Sequence, residues 1–208
     1  MKNALIAGAS GLVGSELLKI LIGCEDYGTI HVIARKSIEV NSAKVVQHIV
    51  NFDELEHFQL TDPVNHVFCT LGTTIKKAGT KENFRKVDFE YVISLAKMAK
   101  RIQAEKFMVV SSLGANAKSM IFYNRVKGEV EAGLQKLSLP HLFIFRPSLL
   151  LGNRSEYRAG EKTAASVYKF LAPVFSGPLK KYKGVEAKKV ANAMVQKELD
   201  NDETFSIL

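Results

Sequence analysis

A chain of 208 residues with 47% hydrophobic and 24% charged residues has a globular composition, which excludes a disordered or fibrous chain. A fold of this size buries a core without disulfide staples. Its two cysteines, Cys24 and Cys69, form no disulfide framework and fit a reduced, cytoplasmic protein. The net charge of +8 raises the question of nucleic acid, but the basic residues are spread along the chain. One denser stretch holds Lys180, Lys181, Lys183, Lys188 and Lys189. No zinc-finger spacing, RNA-binding aromatic motif or heptad zipper accompanies it, so no specific nucleic-acid partner is expected. No apolar run reaches membrane-spanning length. The short apolar opening runs straight into glycines, unlike a signal peptide, so no membrane partner is expected either.

Short apolar runs alternate with helical patterns. Strands are expected at residues 4–7, 30–34, 45–52, 67–71, 107–110 and 142–145. Leu12, Val13, Leu17, Leu18, Leu21 and Ile22 recur at helical spacing after the first strand. Further helices are expected at 84–101, 122–137 and 188–199. This alternation predicts an α/β fold with a parallel sheet covered on both faces and right-handed crossovers. No repeat, linker or low-complexity tract divides the chain. It reads as one domain, 1–208, in which 153–208 forms a short C-terminal cap and final helix.

The segment GASGLVG places Gly8, Gly11 and Gly14 between the first strand and the first helix. Gly8 suits a tight turn, Gly11 lets a pyrophosphate approach the backbone, and Gly14 lets helix and strand pack closely. The helix N-terminus adds free N–H groups and a favourable dipole. The predicted cradle is Gly8, Ser10, Gly11, Leu12, Val13 and Gly14. The second strand ends in Arg35-Lys36, where an acidic residue would favour NAD. Two cations there suit a 2′-phosphate, which predicts NADP(H). Asp53 is a candidate acceptor for the adenine amino group, and Thr70, Leu71 and Gly72 should flank the dinucleotide.

Tyr123 and Lys127 stand four apart on a predicted helix, which places them on one face. A nearby ammonium favours a phenolate, so Tyr123 is the expected acid/base, with Lys127 also contacting the nicotinamide ribose. A hydroxyl from Ser111 or Ser112, at the end of the fifth strand, would bind the substrate oxygen. Adjacent strand residues face opposite ways. Ser112 is favoured for catalysis, with Ser111 beside the cofactor.

GASGLVG (8–14), CTLGTTIKKAG (69–79), FRKVDFEYV (84–92), SSLGA (111–115), FYNRVKGEVE (122–131) and FRPSLLLGNRSEYRAGE (145–161) resemble an atypical short-chain dehydrogenase/reductase. More narrowly, they resemble the Tat-interacting-protein-like oxidoreductase subgroup and its bacterial relatives. The resemblance implies a Rossmann fold with a doubly wound parallel sheet of order 3-2-1-4-5-6 and NADP binding. It implies a catalytic set of Ser112, Tyr123 and Lys127, with Arg146, Pro147 and Ser148 passing the nicotinamide. Two departures stand out. The asparagine that many superfamily members use has no clear counterpart, with Asp88 in its neighbourhood, and the cap is too small for a bulky sugar nucleotide.

The resulting expectation is hydride transfer to or from a small carbonyl or alcohol. The alternatives are an epimerase- or dehydratase-like enzyme and a non-catalytic NADP(H)-sensing regulator. The five histidines, His31, His48, His57, His66 and His141, show no ligand spacing, so no metal is expected. Cys69 is read as a buried small residue, and Glu129 and Glu131 as a solvated helix face. Phe170, Leu171, Val174 and Phe175 form an apolar patch around Pro173 that would cap the pocket or bury against a second copy, which allows a homodimer.

Overall fold

The computed structural model describes residues 1–151, 184–198 and 205–207. Strand β1 (Lys2–Ala7) leads into helix α1 (Leu12–Gly23), β2 (Tyr27–Ala34) and β3 (Val45–Ile49). A 3-10 helix (Phe52–His57) precedes β4 (His66–Cys69). Two short helices come next, α2 (Ile75–Ala78) and α3 (Lys81–Arg85), then a π-turn (Lys86–Glu90) and α4 (Tyr91–Arg101). Strand β5 (Lys106–Val110), helix α5 (Phe122–Lys136) and β6 (His141–Phe145) complete the central part. Beyond them lie β7 (Leu150–Leu151), β8 (Val185–Glu186), α6 (Ala187–Glu198) and β9 (Phe205–Ile207).

The main sheet has the order β3-β2-β1-β4-β5-β6-β9, and every neighbouring pair is parallel. This is the expected 3-2-1-4-5-6 order, extended by one strand. Successive residues face opposite sides of a strand, and here both sides are buried. Leu5, Ala7, Val67, Phe107, Leu142 and Ile144 pack against α4 and α5 through Val92, Leu95, Val130 and Leu134. Ala4, Ile6, Phe68, Met108 and Phe143 face the other way, onto Leu17 and Leu21 of α1 and Ala191 and Met194 of α6. The strand order reverses between β1 and β4, so the crevice at their carboxyl ends is the natural ligand position.

Several boundaries differ from the sequence reading. The helix expected at 84–101 is interrupted by the π-turn. The third strand stops at Ile49; Asn51 then caps the 3-10 helix by accepting a hydrogen bond from the Asp53 N–H at 3.1 Å. Strand β9 carries too short a pattern for periodicity to detect, and it pairs only through Leu142, Phe143 and Ile144 of β6. The apolar patch at Phe170, Leu171, Val174 and Phe175, and the cations Lys180, Lys181 and Lys183, lie outside the described residues.

After β5, residues 111–121 fold back onto α5. The Asn116 N–H donates to the Asn124 carbonyl at 3.0 Å. The loop then crosses Gly128 so closely that a Cβ there would stand 2.1 Å from the Ala117 nitrogen. Gly128→Ala therefore has to push backbone apart rather than a flexible side chain. We expect a loss of about 1–3 kcal/mol in chemical denaturation; an unchanged midpoint would show that the loop yields freely.

His66 is fully buried on β4, with its Nδ1 2.9 Å from the Tyr27 hydroxyl. Burial, then repulsion from Lys2 and Lys106, pushes its pKa down from 6.5 to about 3. The unfolded chain takes up this proton near pH 6.5 while the fold does not, so the stability is full above that pH and declines toward pH 3. The slope from this one group is about 1.4 kcal/mol per pH unit. Urea midpoints measured at several pH values should fall less steeply for His66→Gln than for the parent chain, and parallel slopes would refute the assignment.

Candidate functional site

The turn after β1 is tied to the end of β4. The Thr70 N–H and hydroxyl both donate to the Ala7 carbonyl, at 2.9 and 3.0 Å. Gly8 has φ +93°, a conformation glycine adopts without strain, and its added Cβ would lie 2.7 Å from the Thr70 carbonyl carbon. At Gly14 a Cβ would stand 2.1 Å from the Gly8 oxygen. The Gly11 N–H closes the turn onto the Gly8 carbonyl at 2.9 Å. Gly11 is the N-cap of α1, no side chain caps that end, and its first turn holds no acidic residue. Ser10 is exposed and Leu12 half-buried, while Val13 belongs to the core and presents only its backbone to this turn. Such an end offers unpaired N–H groups and a partial positive charge, and it fits a diphosphate.

Arg35 and Lys36 project from the end of β2, both exposed and neither paired with a carboxylate among the described residues. Asp53, one strand over, is already engaged. Its Oδ1 accepts from the Tyr91 hydroxyl at 2.9 Å, and its Oδ2 accepts from Lys86 Nζ at 2.9 Å. Hydrogen bonds from Lys86 and then Tyr91 hold this carboxyl below its usual range.

On the other side of the crevice, α5 presents Tyr123 and Lys127. Lys127 is buried, with its Nζ 2.7 Å from Asp88 Oδ1. Burial lowers its pKa, but Asp88 and then Tyr123 outweigh burial and hold it above the ordinary lysine value. Asp88, also buried, accepts the Thr73 N–H on its other oxygen at 2.8 Å. Gly72 passes directly over this pair: a Cβ there would lie 3.5 Å from Asp88 Oδ1 and 3.9 Å from Lys127 Nζ. Leu71, just before it, is half-buried and packs against the core. Tyr123 is half-buried with its ring 5.7 Å from that of the fully buried Phe84. Its hydroxyl makes no hydrogen bond to a described residue.

The two serines differ. Ser111 is buried and its hydroxyl donates to Glu131 Oε1, while its N–H donates to the Phe145 carbonyl at 2.7 Å. Ser112 is half-buried, and its hydroxyl is unbonded among the described residues. Arg146 grips the same Glu131 through Nε at 3.0 Å and through a second nitrogen. Pro147 accepts the Leu113 N–H at 3.0 Å, and Ser148 is half-buried beside it. Burial pushes the Cys69 thiol up to about 12, against smaller lowering effects of the Leu71 N–H and Lys127, which leaves it inert at neutral pH.

Glu131 departs from the sequence expectation of a solvated face: it is 3% exposed and joins Ser111 to Arg146. The spacing carries the signal, because residues 123, 127 and 131 run along one helix face by steps of four. Glu129 does sit near the surface, paired with Arg85. Asp88 has no role assigned by the sequence, and its buried pair with Lys127 needs coordinates to see. Among the described residues, no group of three or more His, Cys, Asp or Glu side chains is arranged to hold a metal.

The chain is similar to known proteins in sequence and in fold. The HIM1 family description matches residues 31–176. The chain is 37% identical over 171 residues to protein HTATIP2 of Rattus norvegicus, covering 80% of this chain and 70% of that one. It is 37% identical over 158 residues to the mitochondrial protein FMP52 of Debaryomyces hansenii, covering 74% and 69%. Its fold resembles MoeE5 in complex with UDP-glucose and NAD, with a TM-score of 0.73 at 13% identity over 99% of this chain and 75% of that one. UDP-glucose 4-epimerase from Thermotoga maritima gives 0.73 at 14% identity, covering 99% and 76%. At such identities the likeness concerns the fold alone.

The cytoplasmic expectation does not stand, because the yeast relatives are mitochondrial by name. Unpaired cysteines report a reducing environment, and that property does not single out the cytosol. The HIM1 match over residues 31–176 and the 37% identity to HTATIP2 show that the chain belongs to the HIM1/HTATIP2-like family, and its strand order gives it a Rossmann fold.

Proposed function

We propose that the chain is an NADP(H)-dependent oxidoreductase acting on a small carbonyl or alcohol. The observation that carries this reading is the placement of Tyr123. Its unengaged hydroxyl stands on the same helix as the buried Lys127, whose ammonium lies beneath Gly72 at the carboxyl edge of the sheet. The cofactor supplies the hydride. The Gly8–Gly14 turn and the open end of α1 hold its diphosphate, and Arg35 and Lys36 meet the 2′-phosphate. Asp53, Thr70, Leu71, Gly72 and Ser111 line its path, with Arg146, Pro147 and Ser148 near the nicotinamide end.

In the reducing direction Tyr123 donates its proton to the carbonyl oxygen as hydride reaches the carbon. Lys127 stabilises the resulting charge and binds the ribose hydroxyls with its remaining N–H donors. Ser112 donates to the substrate oxygen. In reverse, Tyr123 accepts the alcohol proton. A non-catalytic sensor would need the glycine turn but would have no use for a buried ammonium beside an unbonded phenol, and this disfavours that alternative.

Calorimetry should show tighter binding of NADPH than NADH, and Arg35→Glu should reduce that preference by roughly tenfold or more, the value of one charge-assisted hydrogen bond. Equal affinity for the two dinucleotides in the parent chain would exclude the NADP assignment. Once a substrate is found by screening small carbonyls with NADPH, Tyr123→Phe should lower kcat by roughly 10²- to 10⁴-fold without changing NADPH affinity. Retained turnover in that variant would remove Tyr123 from the chemistry.

A further inference from the structure

Asp88 stands in a buried stripe. Phe84, Asp88 and Val92 recur every four residues and all are buried, so the helical pattern places a carboxylate where an apolar side chain would suffice. Burying a lone charge is expensive. A buried ion pair is no substitute for apolar packing as a source of stability, since well-packed hydrophobic replacements are often equal or better. The pair is therefore poorly explained as glue, and its location suggests another reason. It lies where the π-turn Lys86–Glu90 meets the end of β4, and π-turns concentrate at functional positions.

Asp88 contacts two parts of the site at once. One oxygen takes the Lys127 ammonium at 2.7 Å and the other takes the Thr73 N–H at 2.8 Å. It therefore anchors both the amine and the backbone directly after Gly72. A lysine ammonium has three donors. With one directed to Asp88, the orientation of the other two is restricted. The groups acting on that ammonium are Asp88 from the π-turn, Cys69 from β4 and Tyr123 from its own helix. Of these, Asp88 supplies the strongest upward effect, against the opposing effect of burial.

We propose that Asp88 is the positioning residue of this site: it holds the Lys127 ammonium in place and charged beneath Gly72, and fixes the Gly72–Thr73 backbone against it. This rests on the oxidoreductase reading for its purpose. The contact itself is testable without any turnover.

Asp88→Asn keeps the shape and an acceptor for the Thr73 N–H but removes the charge. Lys127 would then feel burial without Asp88, and its titration should fall by about one to three pH units. In the parent chain, the raised Lys127 keeps its contribution to stability throughout the range below 10.5. In the variant the folded state sheds this proton before the unfolded chain does, so stability rises with pH across that window. Melting temperatures compared from pH 7 to pH 10 should therefore show a gap between parent and Asp88→Asn that narrows as pH increases. The double variant Asp88→Asn/Lys127→Met, which removes both charges, should restore stability at pH 7 and show no such narrowing. NADPH binding should weaken on the alkaline side earlier in Asp88→Asn than in the parent chain.

A constant melting gap from pH 7 to pH 10, or an unmoved alkaline limb in NADPH binding with Lys127 still required for it, overturns the assignment. If the parent chain binds no dinucleotide, the oxidoreductase reading fails, and the melting series alone then decides whether Asp88 holds the ammonium charged. If Asp88→Asn does not fold, the double variant answers the question: its recovery of a cooperative transition supports the assignment, and its failure to recover refutes it.

Discussion

The join between Ala7 and Thr70 governs the rest of the molecule. One carbonyl at the end of β1 receives two donors from Thr70, the residue that follows β4, and this locks the two central strands where the chain reverses its direction of winding. Gly8 and Gly14 must then thread past the same point with no room for a side chain. The groups at this edge take their position from that junction: the uncapped end of α1 on one side, Gly72 on the other, and beneath Gly72 the Lys127 amine and the Asp88 carboxylate. A parallel sheet buried on both faces makes such a junction rigid, because a slip of one residue would exchange the side chains packed on α4 and α5 for those packed on α1 and α6.

Polar groups in the interior come in small sets. Tyr27 meets His66, His31 lies 3.0 Å from His48, Ser111 and Arg146 meet on Glu131, and Lys127 meets Asp88. The first lies at the amino ends of β2 and β4, away from the carboxyl edge, and the second joins β2 to β3. Burial depresses both histidines of the second set, with His48 adding to the effect on His31. The last two sets lie along α5, one turn apart. They connect the helix to the ends of β4, β5 and β6, so the face bearing Tyr123 is held by charge as well as by Val126, Val130 and Leu134.

Much of the fold was legible because its signals are local. A glycine triplet after an apolar run, strands rich in β-branched and aromatic residues, and helices with clear four-residue spacing give the order of elements directly. The boundaries that moved are those where a side chain decides the geometry. Asn51 ends the third strand by capping the 3-10 helix, and the π-turn interrupts a helical pattern whose periodicity gives no warning of an extra residue. The site was legible as a set of residue types, Tyr123 and Lys127 above all. Its polar couplings were not, because Glu131 and Asp88 resemble ordinary surface acids until burial and a partner distinguish them. The short strand Phe205–Ile207 carries meaning only beside β6.

The run from Arg85 to Asp88 reaches three separate regions from four consecutive residues: Arg85 to Glu129, Lys86 to Asp53 and Asp88 to Lys127. Side chains on a helix are set about 100° apart. Removing a single residue within the widened turn would rotate the preceding helix by that angle relative to the helix beyond it. No compensating substitution elsewhere could restore three angular relationships together. This stretch should therefore tolerate exchanges of residue type more readily than insertions or deletions, so that its length is constrained more tightly than its composition.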